Sequence, residues 1–163
     1  MNIFILDTDP ALCAAYHCDK HVVKMCIEYA QLLSTAARVI GYVHDGYAST
    51  HEKHPCTIWA ADHIDNWSWL YRLAVALGDE YTHRYGKTHK STDALRRLPY
   101  DLRYYAINRC SAPAYFIGVV PEKHPHEDDV VGMYRAYYCD DKARFAKWKK
   151  REAPGWFIPI CDR

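Results

Sequence analysis

With 163 residues, the chain has the length of one domain, able to bury a core without disulfides or metals. Half of the residues are hydrophobic, 14% are aromatic and the formal charge is +1, which excludes a disordered chain and a surface that is basic all round. The seven cysteines, at 13, 18, 26, 56, 110, 139 and 161 with no C-x-x-C spacing, suit reduced thiols in a cytoplasmic protein better than a disulfide framework.

The opening Met1-Asn2-Ile3-Phe4-Ile5-Leu6 is a short apolar run ended by Asp7, too short for a membrane span and without the basic flank of a signal peptide. It reads as a short strand or a buried extended arm. Asp9-Pro10 is an N-cap followed by proline at the first helical position, which launches a turn through Tyr16. Val23, Cys26, Ile27, Ala30, Leu33, Ala37 and Ile40 then recur in steps of three and four, so a helix is expected from about His17 to Ile40, with Gly41 just past its end. Residues 41–54 are polar loop.

A second long helix is expected from about Thr57 to Tyr85 on the stripe Ile64, Trp67, Tyr71, Ala74, Leu77 and Tyr81, stopped by Gly86, with Gly78 marking close packing. Trp67, Trp69 and Tyr71 are more rings than one core-facing stripe holds, so one tryptophan is expected to line a cavity or surface. Ser91 is read as the cap of a short helix through Leu98, halted by Pro99; residues 99–125 are read as a long irregular crossing. Helical spacing of Val130, Tyr134, Tyr138, Asp141, Phe145 and Trp148 predicts a last helix from Glu127 to about Arg151. The fold class is therefore all-α: three main helices in a single domain over residues 1–163, an extended N-terminal arm, and an irregular crossing before the last helix.

The chemistry concentrates in His17-Cys18-Asp19-Lys20-His21-Val22-Val23-Lys24. On a helix His17 and His21 share one face and Lys20 and Lys24 another, with Asp19 between them. Asp19, with His21 beside it, is the candidate acid-base group; His17, Lys20 and Lys24 are the candidate anion-binding frame. The plain structural alternative is a solvated first turn with its acid near the positive helix end. Six cations in ten residues, Lys142, Arg144, Lys147, Lys149, Lys150 and Arg151, surround Trp148, with Arg135 further back. Phosphates and a stacked base would suit that end of the chain, although complementing a helix dipole would also explain it.

Cys13, His17 and His21 fall four apart and would suit zinc on a continuous helix, but no glutamate follows His17 as in a zincin, and Lys20 and Lys24 repel a cation. No metal and no cofactor is expected. Phosphate-cradling glycine loops, a G-x-S-x-G elbow and a dinucleotide fingerprint are all missing from the sequence.

The order of elements resembles the phage endonuclease V family of pyrimidine-dimer DNA glycosylases. The matching segments are Ala15-Tyr16-His17-Cys18-Asp19, Pro55-Cys56-Thr57, Tyr81-Thr82-His83-Arg84-Tyr85-Gly86, Pro125-His126-Glu127, and a cationic ladder through Arg135, Lys142 and Lys147 closing on Trp148. Residues 2–36 also resemble the start of a group of small tailed-phage proteins.

The resemblance implies an all-α cytoplasmic protein with DNA as partner, a catalytic carboxylate at Asp19, and Arg84, Arg135, Lys142, Lys147 and Trp148 facing substrate. It also implies an amine nucleophile at residue 2 that forms an imine with the sugar. Here Asn2 blocks removal of Met1, the amine stands one residue away, and imine chemistry is not expected. The first reading is thus a glycosylase-like or thymine-base-modifying DNA enzyme. The others are a non-catalytic protein holding a phosphate-bearing nucleotide between the first and last helices, and a plain structural protein with solvated helix starts.

Overall fold

The computed structural model describes residues 1–100, 102, 116–121 and 129–159. Among them the regular structure is entirely helical: α1 (Pro10–Tyr16), α2 (Asp19–Val39), α3 (Pro55–Asp62), α4 (Ile64–Tyr85), α5 (Ser91–Arg96) and α6 (Val130–Tyr137), which runs into a π-helical turn, Tyr138–Lys142. No described helix is long and apolar enough to cross a membrane. Helix α4 is the hub, packing against α1, α2, α3 and α5, while α2 also packs on α3 and α5.

The N-terminal run is a buried arm, not a strand. Ile3, Ile5 and Leu6 are fully buried and Phe4 nearly so. With no partner strand, the arm's amides are met by side chains, as buried backbone groups must be. Phe4 N–H donates to the Tyr29 hydroxyl (3.2 Å) and Leu6 N–H to the Cys13 sulfur (3.3 Å). The Leu6 carbonyl accepts from Arg135 Nε (2.9 Å). Asn2 closes the far end: Nδ2 donates to the Val119 carbonyl (2.7 Å), and Oδ1 accepts from Tyr134 (2.8 Å) and from Ile3 N–H (2.8 Å).

Asp9 caps α1 as expected, accepting from Ala11 and Leu12 N–H. The chain then breaks at His17 (φ −60°, ψ 131°), so α1 and α2 are separate and Cys13, His17 and His21 do not share one helix face. The expected second helix is also two. His63 adopts an extended conformation (φ −138°, ψ 140°) and its Nδ1 accepts from Asp65 N–H, capping α4 as α3 ends. Gly86 stops α4 at φ +71°, in the left-handed region that glycine enters freely. At Gly78 a Cβ would lie 3.1 Å from Thr92 Oγ1, which explains a glycine where α5 crosses α4.

Two further expectations are corrected, and a third falls on residues that are not described. Lys90, not Ser91, precedes α5, and the Ser91 hydroxyl instead pairs with that of Tyr47 (3.0 Å). The last helix ends at Lys142, so residues 143–151 are turn and coil, with Lys150 at φ +58°. The Pro125-His126-Glu127 segment and most of the expected crossing lie outside the described residues.

Candidate functional site

Two regions bear the chemistry: the N-terminus of α2, and a pocket where the arm begins. At the first, Asp19 opens α2, and its N–H, unpaired within the helix, donates to the Lys147 carbonyl (2.8 Å). In return the Asp19 carboxylate accepts the Lys149 N–H on both oxygens (2.9 and 3.1 Å). The coil after the π turn is thereby fastened to the start of α2, which is why it leaves helical geometry.

Asp19 Oδ1 also accepts from Arg84 Nη1 (2.9 Å). Arg84 is fully buried; its Nε donates to Glu80 (2.6 Å) and its Nη2 to the Ala15 carbonyl (2.9 Å). Glu80 in turn accepts Arg151 at 2.7 and 3.0 Å. Burial alone would raise the Glu80 pKa, but the Arg151 and Arg84 guanidiniums outweigh it and hold the carboxyl below its ordinary value. The result is one chain of alternating charge, Asp19–Arg84–Glu80–Arg151, tying α2, α4 and the 147–151 segment together.

The two histidines lie beneath, inside the core. His17 is fully buried; Nδ1 contacts the Cys13 carbonyl (2.7 Å) and Nε2 the Tyr29 hydroxyl (2.8 Å). A carbonyl only accepts, so the neutral tautomer has its proton on Nδ1, and Tyr29 donates to Nε2. His21 bonds the Tyr138 hydroxyl through Nδ1 and stacks on Phe4 (centroids 4.2 Å apart). Burial pushes the pKa down to about 4 at His17 and about 3 at His21, where the nearby His17 and Lys142 charges add to it. The expected anion-binding frame is not assembled: His17, like His21 beside it, is neutral and inward, while Lys20 lies 4.7 Å over the Phe145 ring and Lys24 pairs with Glu28 on the surface of α2.

The remaining expected site residues separate in the same way. Arg135 faces inward, holding Leu6 and Asp7 (3.0 Å to Oδ2) and lying over the Trp156 ring. Lys142 sits 4.3 Å over the Tyr137 ring. Trp148 donates its indole N–H to the Tyr16 carbonyl (3.0 Å), so its edge is engaged in the fold. Lys147 is exposed beside Arg144, Lys149 and Lys150, and this basic surface survives the loss of the helix. The space expected for a nucleotide between the first and last helices holds rings instead, with Tyr138 and Phe145 at 5.1 and 5.8 Å from His21.

Met1, Glu28, Gln31, Tyr47, Thr50 and His51 line the second region, a pocket of about 460 Å³. Glu28 is the one carboxylate of the α2 interior; its side chain is 15% exposed and pairs with Lys24 (3.1 Å). His54 caps α3 through Nδ1 (3.2 Å to Cys56 N–H), and its pKa is lowered by burial first, then by positive charge at the start of the chain and at His51, against which Glu28 acts. Glu28 was not among the residues singled out from sequence; Lys24 four residues earlier was the available signal.

A family model described as pyrimidine dimer DNA glycosylase matches residues 1–93, which include the arm, α1 to α4, Asp19, Arg84 and every residue lining the Glu28 pocket. No curated protein and no solved structure matches the chain. The match covers more than half of the 163 residues, and the chain belongs to the pyrimidine dimer DNA glycosylase family.

Proposed function

We propose that the protein cleaves a base–sugar bond in DNA, with Glu28 as its acid-base carboxylate. The observation that carries this reading is the placement of Glu28: a largely buried carboxylate, paired with one solvent-exposed lysine, on the wall of a pocket built wholly from residues the family model matches. Asp19 is less suited to proton transfer, because both its oxygens are committed to Arg84 and the Lys149 amide.

In the proposed reaction a water attacks the anomeric carbon and gives its proton to Glu28. The carbon–nitrogen bond breaks, and its electron pair leaves with the base, which takes up a proton from solvent. Asp19 and Arg84 serve as positioning residues that hold α2 against α4. His21 is a neutral packing ring in this reading, and the phosphate-contacting surface is the exposed set Lys20, Lys24 and Lys147.

Ultraviolet-irradiated and untreated duplex DNA, each incubated with the protein and assayed for abasic sites, test the reading. Glu28→Gln should lower the rate by about 10²–10⁴-fold, the usual contribution of a positioned acid or base. Full activity in a folded Glu28→Gln protein would reject it.

A further inference from the structure

The Glu28 pocket holds a second group able to move a proton. His51 lines it together with Met1, Glu28, Gln31, Tyr47 and Thr50, and is exposed. Its backbone lies at φ +55°, in the left-handed region, where a β-carbon crowds the neighbouring backbone and glycine fits without strain. Two hydrogen bonds hold it there: the His51 carbonyl accepts from the Thr57 hydroxyl (3.1 Å) and from His54 N–H (2.9 Å). One residue earlier, Thr50 N–H donates to the Thr35 hydroxyl (3.1 Å). The turn is thus tied to α2 on one side and α3 on the other, and a glycine would serve it without the ring. A backbone outlier that carries an imidazole into a pocket wall points to a use for that imidazole.

The ring is oriented as well as placed. Its Nδ1 lies 2.6 Å from Thr50 Oγ1. With the Nδ1 proton donated to that oxygen, Nε2 is the nitrogen that gains and loses a proton, and no described residue bonds it. Cleavage of a base–sugar bond needs one group to take a proton from water and another to give one to the base, and this pocket carries a carboxylate and an imidazole.

We propose that His51 is the general acid of the cleavage, an inference that rests on the reading of Glu28 as the base. The ring enters the step as imidazolium, with a proton on each nitrogen. As the carbon–nitrogen bond breaks, its electron pair goes to the ring nitrogen of the base. The Nε2–H bond breaks with it, and the proton bonds to that nitrogen, in place of one drawn from solvent. The base leaves neutral. His51 is left neutral with its Nδ1–H still on Thr50, while Glu28 holds the proton of the attacking water; transfer of that proton through solvent to Nε2 resets both groups.

The abasic-site assay on ultraviolet-irradiated duplex DNA tests this with His51→Gly, which keeps the turn because glycine enters the left-handed region freely. The variant should melt near the wild-type temperature and cleave about 10²–10⁴-fold more slowly. Added imidazole, a diffusible donor of the same proton, should raise its rate at least tenfold and leave Glu28→Gln unchanged. A ring that only shapes the pocket wall gives no such rescue. A folded His51→Gly with the wild-type rate, or a slow one indifferent to imidazole, overturns the proposal. If the glycine variant does not fold, His51→Asn, which also tolerates this backbone, is judged by the same criteria. An inactive Glu28→Gln beside an unimpaired His51→Gly makes this inference fail alone; a fully active Glu28→Gln, or a wild type that forms no abasic sites, fails the reading beneath it as well.

Discussion

Asp19 and Arg84, sixty-five residues apart, meet at 2.9 Å and join the first turn of α2 to the last turn of α4. The guanidinium has no exposure and a second carboxylate on its other side, so its charge is balanced only while both acids are in place. Asp19→Asn keeps an acceptor but removes a charge, and should cost about 1.5–3 kcal/mol, the range for a hydrogen bond to a charged group. Arg84→Met should cost about 3–5 kcal/mol, because Glu80 is left buried with only Arg151. Urea unfolding checks both; an Asp19→Asn protein as stable as wild type but inactive would return Asp19 to the acid-base role.

Acid should destabilise the protein in two stages. His17 and His21 have native pKa values near 4 and 3, below the unfolded value of 6.5. The unfolded state therefore binds more protons, and stability falls as pH drops from about 6.5 toward 4, by up to about 1.4 kcal/mol per pH unit for each histidine. Glu80, with its lowered pKa, adds a loss below its unfolded value of 4.5. Denaturant midpoints between pH 7 and pH 4 measure this, and a flat profile from pH 7 to pH 5 would show that the histidines are not buried neutral.

The exposed cations beside Lys147 should contact phosphate without reading sequence. Reversing charge at Lys147 and Lys150 together should weaken duplex binding for any sequence and reduce the salt slope by about two, near 0.9 per lost contact. Lys150 also donates to the His83 carbonyl (3.0 Å), so thermal unfolding must accompany the titration. Unchanged affinity at low salt would take this segment out of the interface.

Borohydride added during turnover should trap no covalent DNA adduct. Asn2 is held by three hydrogen bonds, which anchor the arm with its amine one residue away from the position that the resemblance assigns to an amine nucleophile. An adduct mapping to the peptide containing Met1 would replace water by an amine as the attacking group, since reduction turns an imine into a stable secondary amine.

Local signals were legible where local forces decide. The α2 helix, the Asp9-Pro10 start and the Gly86 stop are set by side chains within a few residues and appear in the fold, although Val23 and Ile27 of the stripe read for α2 are exposed. The break at His63 was hidden because His63 interrupts the backbone without interrupting the apolar stripe. The end of the last helix was hidden for another reason: residues 147–149 satisfy their backbone against the distant start of α2, which no neighbouring residue announces. The site followed the same division. Asp19 stood out among neighbouring charges, whereas the burial of His17 and His21 depends on Tyr29, Phe4 and Tyr138 from other parts of the chain. Glu28 lay among apolar residues and drew no notice.

The arm also bears on how the chain is made. Ile3, Phe4, Ile5 and Leu6 leave the ribosome well before the last helix, yet Asn2 and Leu6 are secured by Tyr134 and Arg135, over 120 residues later. Until those two emerge, an apolar segment whose Leu6 carbonyl lacks its Arg135 donor and whose Asn2 lacks its Tyr134 anchor has nowhere permanent to lie. At roughly 5–20 residues per second, that wait lasts on the order of ten seconds, and contacts of such long sequence separation also close slowly. A nascent chain truncated before residue 134 should therefore be captured by chaperones through residues 1–6, and a chain extended through residue 163 released.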